Sequence, residues 1–230
     1  ICANTHSPYT GVITTIDLAT DFNGYKKPAF FIDVEADEWC EEIDTSEDIV
    51  REIKLSSKEI IERIKDRGIV GLGGAAFPTH VKYMVPEDKK AEYLIINAAE
   101  CEPYLTSDNR VILEHTEEVL IGIEIMKKAL NINKAKIGIE ANKPKAIEAL
   151  RKLLNQFPGT EVVPLKTKYP QGAEKQLIYA LTKREVPSGK LPIEVACVVN
   201  NVGTAFAIYQ AIKKNRPLID NILTFTGKKA

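Results

Sequence analysis

The sequence predicts an α/β fold in which a mostly parallel sheet carries helices on both faces. Apolar runs typical of β-strands alternate with helical patterns from residue 93 onward, which is the order of a βαβ series. The 230 residues are enough for one large hydrophobic core, and 44% hydrophobic with 27% charged residues is an ordinary globular composition. A net charge of -1 provides no overall field for nucleic acid or an acidic membrane surface, so neither is an expected partner.

The N-terminal region, residues 1–45, is predicted to be part of a small β module with a linker. It contains two short β-like pieces, "GVITTIDL" (11–18) and "AFFIDV" (29–34), which precede an acidic stretch. We expect the remaining strands of this module to lie upstream of the sequence.

The main α/β domain is predicted over residues 46–215, and its first element is a helix over 55–68. Ser56 and Glu59 have the S-x-x-E spacing of a capping box, and Gly68 is suited to end the helix. The strands predicted after it are 93–97, 135–140, 161–165 and 194–200, and the helices are 112–130, 144–157, 172–182 and 203–214. Their alternation is the basis of the predicted parallel sheet.

The C-terminal residues 216–230 are predicted to open a strand of a further domain. No apolar run is long enough to span a bilayer and the first residues lack a secretory signal, so we expect a cytoplasmic chain without direct membrane insertion. The four cysteines are scattered without a C-x-x-C pair, which disfavours a disulfide framework, a zinc site or an iron–sulfur cluster held by this chain alone. No metal site is predicted.

A glycine-rich loop, "GIVGLGGAAFPTHVKY" (68–83), follows the first predicted helix. Glycine allows a backbone to adopt positive φ or to approach a bulky group. The loop fits G-x-G-x-x-A, but it follows a helix rather than a strand, so it is not the usual dinucleotide fingerprint. A flexible connection between helices is the alternative. Pro78 and Lys82 favour a ligand, because they predict a helix N-terminus with a nearby positive charge that would suit a phosphate-bearing cofactor.

Polar side chains lie at or just beyond the ends of three predicted strands. They are Asn97, Glu100 and Glu102 at the first strand, Glu140 and Asn142 at the second, and Asn200, Asn201 and Thr204 at the last. Ligands of open α/β sheets bind outside the carboxyl ends of the strands, so the cluster and the glycine loop together predict a binding site. For any one of these residues alone, a role as a helix cap or turn former is the favoured interpretation, and Glu140 and Asn142 in particular fit it.

Four motifs resemble, in order, those of the C subunit of the Rnf electron transport complex: "GLGGAAFPTHVKY", "NAAECEPY", "YPQGAEKQ" and "NNVGT". The 51-kDa flavoprotein subunit of respiratory complex I is similar more distantly. The resemblance implies a Rossmann-like α/β domain that binds FMN and NAD, preceded by a barrel-sandwich-like module and followed by a β-grasp-like (SLBB-type) domain. It also implies a cytoplasmic protein held at the inner membrane by the other subunits of the complex.

The function that the resemblance implies is that of an FMN-binding NADH dehydrogenase module. FMN would accept hydride from NADH and pass electrons singly to [4Fe-4S] clusters, which are expected only beyond residue 230. Two alternatives stay open. One is a cobalamin reductase-type flavoprotein of the same architecture, and the other is a nonenzymatic scaffold protein that would not hold flavin.

The resemblance also implies a role for residues in each of the four motifs. The residues that would line the flavin are Gly71, Gly73 and Gly74, with Lys82 beside it, and those that would hold its ring and ribityl edge are Asn97, Glu100 and Glu102. Its phosphate end would be bound by Asn200, Asn201 and Thr204. Phe77 would stack on the nicotinamide nucleotide, and the hydride-transfer face would be lined by Tyr169, Gly172 and Glu174. Glu102 and Glu174 are the expected catalytic residues, as hydrogen-bond acceptors for the nucleotide.

Overall fold

The structure is a computed structural model that describes residues 2–21 and 23–227. The strands are β1 (Thr10–Thr20), β2 (Lys26–Ala36), β3 (Tyr93–Ala98), β4 (Lys134–Glu140), β5 (Thr160–Leu165) and β6 (Cys197–Asn201). The helices are α1 (Ser57–Asp66), α2 (Thr79–Tyr83), α3 (Ser107–Glu114), α4 (Thr116–Leu130), α5 (Pro144–Leu153), α6 (Glu174–Thr182) and α7 (Val202–Lys213). Short 3-10 helices at Leu154–Gln156 and Pro192–Val195 follow α5 and precede β6.

The last four strands form one parallel sheet in the order β5-β4-β3-β6, which confirms the predicted α/β class. From β3 the chain moves to β4 and then to β5, and it returns to the other side of β3 as β6. The strand order therefore reverses between β3 and β6, where open α/β sheets have their ligand crevice. The register pairs Asn97 with Asn201, so two of the predicted site residues lie side by side at this point.

Helices cover both faces of the parallel sheet. The larger core lies against α1, α4, α5 and α7 and includes Ile64, Leu120 and Ile208, whose side chains are fully buried. On the opposite face, Leu177 of α6 packs in a smaller cluster with Ile95 of β3. The neighbours of Ile95 in β3 belong to the larger cluster, as expected because successive side chains of a strand point to opposite faces.

Helices α4 and α7 approach each other closely. A Cβ on Gly122 would lie 2.0 Å from the backbone oxygen of Ala205, so no residue other than glycine fits without moving the helices apart. Because Ala205 is in the first turns of α7, this contact fixes where α7 begins relative to the sheet.

Helix α1 begins and ends as predicted. The Ser56 hydroxyl accepts a hydrogen bond from the backbone N–H of Glu59, and the Glu59 carboxylate accepts one from the backbone N–H of Ser56 at 2.7 Å. This is the predicted capping box. Gly68 has φ +69°, a left-handed conformation that turns the chain out of the helix and into the glycine loop.

The prediction of one helix over residues 112–130 is wrong in its bounds. The chain forms two helices, α3 and α4, that meet at His115. His115 has φ -130° and ψ 40°, outside the helical region. Its ring stacks on Phe206 with 4.3 Å between ring centroids, and its Nδ1 lies 3.1 Å from the Glu118 carboxylate. The apolar periodicity continues across the break, so a contact with α7 that is distant in sequence decides where the helix is interrupted.

The two predicted N-terminal strands form β1 and β2, an antiparallel pair in a sheet of its own. Both strands extend beyond their predicted ends, and the pair exposes large apolar side chains such as Ile16 and Phe30. The assignment of residues 1–45 to a separate module stays a prediction. Residues 1 and 22 lie outside the described residues.

The strand predicted at the C-terminus does not form in the described part of residues 216–230. Residues 218–227 have no strand partner there, and a strand needs one to satisfy its backbone groups. Instead the Leu218 N–H donates to the backbone oxygen of Arg67 at 3.0 Å. The further domain over residues 216–230 stays a prediction. Its last residues, 228–230, lie outside the described residues. Within the described ranges, none of the helices combines the length and apolar character needed to cross a membrane.

Candidate functional site

The glycine loop folds against the beginning of α7. The backbone N–H of Leu72 donates to the Thr204 hydroxyl at 2.9 Å. A Cβ on Gly73 would lie 3.4 Å from the Cβ of Asn201. Two motifs that are far apart in the sequence, the glycine loop and "NNVGT", are therefore in direct contact.

The loop glycines serve different purposes. Gly74 has φ +108° and open space where a Cβ would point, so it supplies the left-handed turn. Gly73 has no positive φ, and its constraint is the closeness of Asn201. Gly71 donates its N–H to the backbone oxygen of Phe77 at 2.8 Å, which closes the loop and leaves the Phe77 ring 41% exposed.

Asn201 caps α7 and has both ends of its amide engaged. Its Oδ1 accepts a hydrogen bond from the N–H of Gly203 at 2.7 Å, and its Nδ2 donates to Asp108 Oδ2 at 2.7 Å. The sequence does not single out Asp108, because an acidic residue in the first turn of a helix is an ordinary partner of the helix dipole. Burial raises the pKa of Asp108 to about 7, although the hydrogen bond from Asn201 opposes that shift.

Asn200 is the most unusual side chain of this group. It is 2% exposed, and neither its amide oxygen nor its amide nitrogen has a hydrogen-bond partner among the described residues. A buried polar group left without a partner costs about 1–3 kcal/mol, so native proteins rarely retain one unless something else binds it. Asn200 therefore indicates a place for a polar ligand.

Asn97 and Gly172 meet beside the end of β3. Asn97 Nδ2 donates to the backbone oxygen of Gly172 at 2.9 Å, and Asn97 Oδ1 accepts from the N–H of Ala99 at 3.1 Å. A Cβ on Gly172 would lie 2.6 Å from the Ala99 oxygen, so this contact requires glycine. Cys101, another residue that the sequence motifs did not assign to the site, accepts a hydrogen bond from the Gly172 N–H at 3.4 Å through its sulfur.

Glu100 is buried and fully engaged by protein groups. Its carboxylate accepts hydrogen bonds from the backbone N–H of Asp108 at 2.8 Å, that of Asn109 at 3.3 Å, and the ammonium group of Lys143 at 3.2 Å. These contacts join the end of β3 to the first turns of α3 and α5. A role of Glu100 at the flavin stays a prediction.

Lys82 crosses from α2 to β6, where its Nζ donates to the backbone oxygen of Val199 at 2.9 Å. Burial lowers the pKa of Lys82, while the negative charge of Glu174 raises it again. Lys82 and Glu174 thus interact although they belong to different motifs. The predicted anion site at the start of α2 is less well formed, because the Thr79 N–H is already donated to Ile69 and the helix has only five residues.

The residues assigned to the nucleotide side are exposed. They are Glu102, Tyr169 and Glu174. Glu102 follows Cys101 and Glu174 follows the Gly172 segment, so both lie on the segments that contact each other beyond β3. The polar residues are therefore buried at the junction of β6 and α7, and exposed where these carboxylates lie.

Glu140 and Asn142, at the end of β4, have local partners. Glu140 Oε1 accepts from the N–H of Lys168 at 3.2 Å, and Oε2 accepts from Asn142 Nδ2 at 3.4 Å. These contacts favour the interpretation of the two residues as caps or turn-forming groups. Among the residues that the structure describes, no His, Cys, Asp and Glu side chains form a group of three or more that could hold a metal ion.

Relatives of known name are subunits of ion-translocating complexes. The chain is 54% identical over 193 residues to the C subunit of the proton-translocating ferredoxin:NAD(+) oxidoreductase complex of Clostridium ljungdahlii, covering 83% of this chain and 41% of that protein. It is 49% identical over 173 residues to the Na(+)-translocating counterpart of Acetobacterium woodii, and this match covers 75% of this chain and 39% of that protein. The C subunit of the ion-translocating oxidoreductase complex of Haemophilus influenzae is 42% identical over 227 residues, and this match covers 97% of this chain and 27% of that protein. The chain thus spans about two fifths or less of the length of these relatives.

A solved structure shares the fold. The chain superimposes on an NAD+-reducing [NiFe]-hydrogenase in the air-oxidized state with a TM-score of 0.58 and 24% identity, over 68% of this chain and 30% of the hydrogenase chain. The sequence model of the Nuo51 FMN-binding domain, Complex1_51K, matches residues 64–210, which include the glycine loop, the whole parallel sheet and most of α7. The resemblance to the Rnf protein is confirmed by the relatives, and this chain belongs to the family of the Nuo51 FMN-binding domain.

Proposed function

We propose that this chain is the FMN-binding NADH dehydrogenase module of an Rnf-like electron transport complex. It would take hydride from NADH and deliver electrons to iron–sulfur clusters outside the chain. Membership of the FMN-binding family and the ferredoxin:NAD(+) oxidoreductase names of the relatives support the cofactor and the setting. The observation that carries the proposal is the contact of the glycine loop with the polar start of α7, beside the point where the strand order reverses between β3 and β6.

The residues of the crevice fit FMN. The amide of Asn200 is buried without a hydrogen-bond partner among the described residues. A polar ligand that bound this amide would remove the free-energy cost of burying it unpaired. The space beside Gly74 is open, and an added side chain at Gly73 would press on Asn201. The loop meets the N-terminus of α7, a helix long enough to attract an anion, which matches the single phosphate of FMN.

The buried part of the site would hold the phosphate end. Asn200 and Thr204 are both buried, and Asn201 lies between them at the end of β6. Gly71, Gly73 and Gly74 would line the flavin, and Asn97, Glu100 and Glu102 would hold its ring and ribityl edge. FMN, when bound, supplies the conversion of a two-electron hydride transfer into single-electron transfers, so these residues need only bind and orient it.

The exposed part of the site would receive NADH. The Phe77 ring is partly exposed and offers a flat face to a nucleotide base. Glu102 and Glu174 are exposed carboxylates that can accept hydrogen bonds from ribose or carboxamide groups, beside Tyr169 and Gly172. Lys82 places a positive charge near Glu174, and that charge favours electron-rich forms of a neighbouring ring.

Two measurements on the purified chain test the proposal. Equilibrium dialysis should show FMN binding that is tighter than FAD binding, because the site offers one phosphate-binding helix end. Anaerobic mixing of the FMN-loaded chain with NADH should then bleach the flavin absorbance. A chain that binds no FMN would be the nonenzymatic scaffold, whereas one that binds FMN but is reduced by neither NADH nor NADPH would not be a dehydrogenase.

A further inference from the structure

Asp108 joins two parts of the crevice that the sequence does not connect. It lies in the first turn of α3, and its Oδ2 accepts the hydrogen bond from Asn201 Nδ2 at 2.7 Å. With Nδ2 directed at Asp108, the other end of the Asn201 amide accepts from the N–H of Gly203 at 2.7 Å. Only this orientation of the amide satisfies both contacts, so Asp108 determines how Asn201 caps α7.

The contact extends to the glycine loop. Gly73 approaches the Cβ of Asn201, and the Leu72 N–H donates to Thr204 in the first turn of α7. An Asn201 side chain that lost its acceptor on Asp108 would be free to rotate its amide. Rotation would uncap α7 and remove the surface on which the loop rests.

The charged groups that face Asp108 are Glu100, which follows β3, and Lys143, which precedes α5. Glu100 accepts a hydrogen bond from the backbone N–H of Asp108 and forms an ion pair with Lys143 at 3.2 Å. Among the described residues, the end of β6 and the start of α7 add only uncharged groups next to Asp108, namely Asn201 and Gly203. Burial raises the pKa of Asp108 to about 7 and Glu100 adds to the shift, while Asn201 and Lys143 oppose it.

We propose that Asp108 is a positioning residue of the cofactor site, which holds Asn201 and the start of α7 in place for the phosphate of FMN and weakens that binding when it ionises. The inference rests on the proposed function. A protonated Asp108 can still accept from Asn201 Nδ2 through its carbonyl oxygen, so the capping arrangement is kept in both forms. An ionised Asp108 adds a negative charge next to an anion site, which Coulomb repulsion disfavours most where water is excluded.

The test is a titration of the full chain with FMN at pH values below, at and above neutral. Binding is measured by the quenching of flavin fluorescence. Asp108→Asn keeps the acceptor oxygen without the charge, and Asp108→Ala removes the acceptor. Glu114→Gln is the matched control, because Glu114 ends the same helix and pairs with Arg110 away from Asn201. Since the phosphate of FMN also titrates near this range, the Asp108→Asn profile reports the phosphate alone.

Wild-type affinity for FMN should fall more steeply with rising pH than the affinity of Asp108→Asn. Asp108→Ala should bind FMN about tenfold more weakly than the wild type below neutral pH, the effect of losing one hydrogen bond to a charged or strongly polar group. This difference should shrink as pH rises, because Ala also removes the charge. Parallel pH profiles of the wild type and Asp108→Asn, together with unchanged affinity in Asp108→Ala, would overturn the inference and leave the proposed function standing. Absence of FMN binding by the wild type would overturn both.

A second readout does not require FMN. Because folding raises the pKa of Asp108, its ionisation costs stability, and this cost grows as pH rises from the unfolded pKa towards about 7. Thermal unfolding of the cofactor-free chain should therefore show Asp108→Asn gaining in melting temperature over the wild type as pH rises through that window. Equal melting temperatures across the window would contradict the raised pKa of the half-buried Asp108 carboxyl group, on which the inference depends.

Discussion

The polar residues beyond β4 and those beyond β6 occupy the same edge of one sheet, yet they have different environments. At β4, both oxygens of Glu140 have partners, the N–H of Lys168 and the amide of Asn142. At β6, the amide of Asn200 is buried with no partner among the described residues. The difference agrees with the topology, because the chain continues outward from β4 to β5, whereas the strand order reverses between β3 and β6, where open α/β sheets bind their ligands. Of these two strand ends, the one at the reversal is therefore the one that has a polar side chain available for a ligand.

The largest expected effect comes from filling the crevice at the glycine loop. Gly73→Val should weaken FMN binding by about a hundredfold or more, since a Cβ there would already contact Asn201 at 3.4 Å and the two methyl groups beyond it would fill the space proposed for the flavin. The fold should survive, because Gly73 is exposed. Flavin fluorescence quenching and circular dichroism measure the two quantities.

The turn beyond β4 provides the control for that experiment. Asn142 is also exposed and follows strand β4. Asn142→Val therefore introduces the same side chain as Gly73→Val, but at the end of β4. FMN affinity should not change. Equal FMN affinity in Gly73→Val and the wild type would restore the interpretation of the loop as a simple connection between helices.

A smaller effect is expected at the open side of the crevice. Glu102→Gln and Glu174→Gln should each weaken the use of NADH by about 1–3 kcal/mol in kcat/KM, the range for losing a hydrogen bond to a charged group, with FMN still bound. Stopped-flow bleaching of the flavin at limiting NADH measures this loss. Glu148→Gln, on the exposed face of α5, should have no effect. If both carboxylate variants match the wild type, their placement at the nucleotide is wrong even though the reaction occurs.

The smallest effects concern stability and should have opposite signs at the two strand ends. Asn200→Leu should stabilise the cofactor-free chain by about 1 kcal/mol, because it removes a buried amide without partners, while FMN binding weakens. Glu140→Leu should destabilise it by about 1–3 kcal/mol, because the Lys168 N–H loses its acceptor. Urea unfolding measures both. A loss of stability in Asn200→Leu would mean that the amide is satisfied within the protein.

Most of the fold was predictable because the sequence carries local signals for it. The α1 capping box, the alternation of strands with helices and the polar residues at strand ends depend on neighbours in sequence, and these predictions are confirmed. The break at His115 was not predictable, since it depends on a ring in α7. Asp108 was not predictable for the same reason, because its importance arises from a contact with Asn201 across ninety-three positions of the sequence.

The strand β6 lies at the edge of the parallel sheet, with β3 on one side only. Edge strands with free backbone groups invite pairing with strands of other molecules, and proteins commonly prevent this with a lysine placed at the edge. Lys82 has this position, because its ammonium group occupies the backbone oxygen of Val199 in β6. We therefore expect replacement of Lys82 by an apolar residue to leave this oxygen free to pair with a strand of another molecule, which light scattering would detect as self-association.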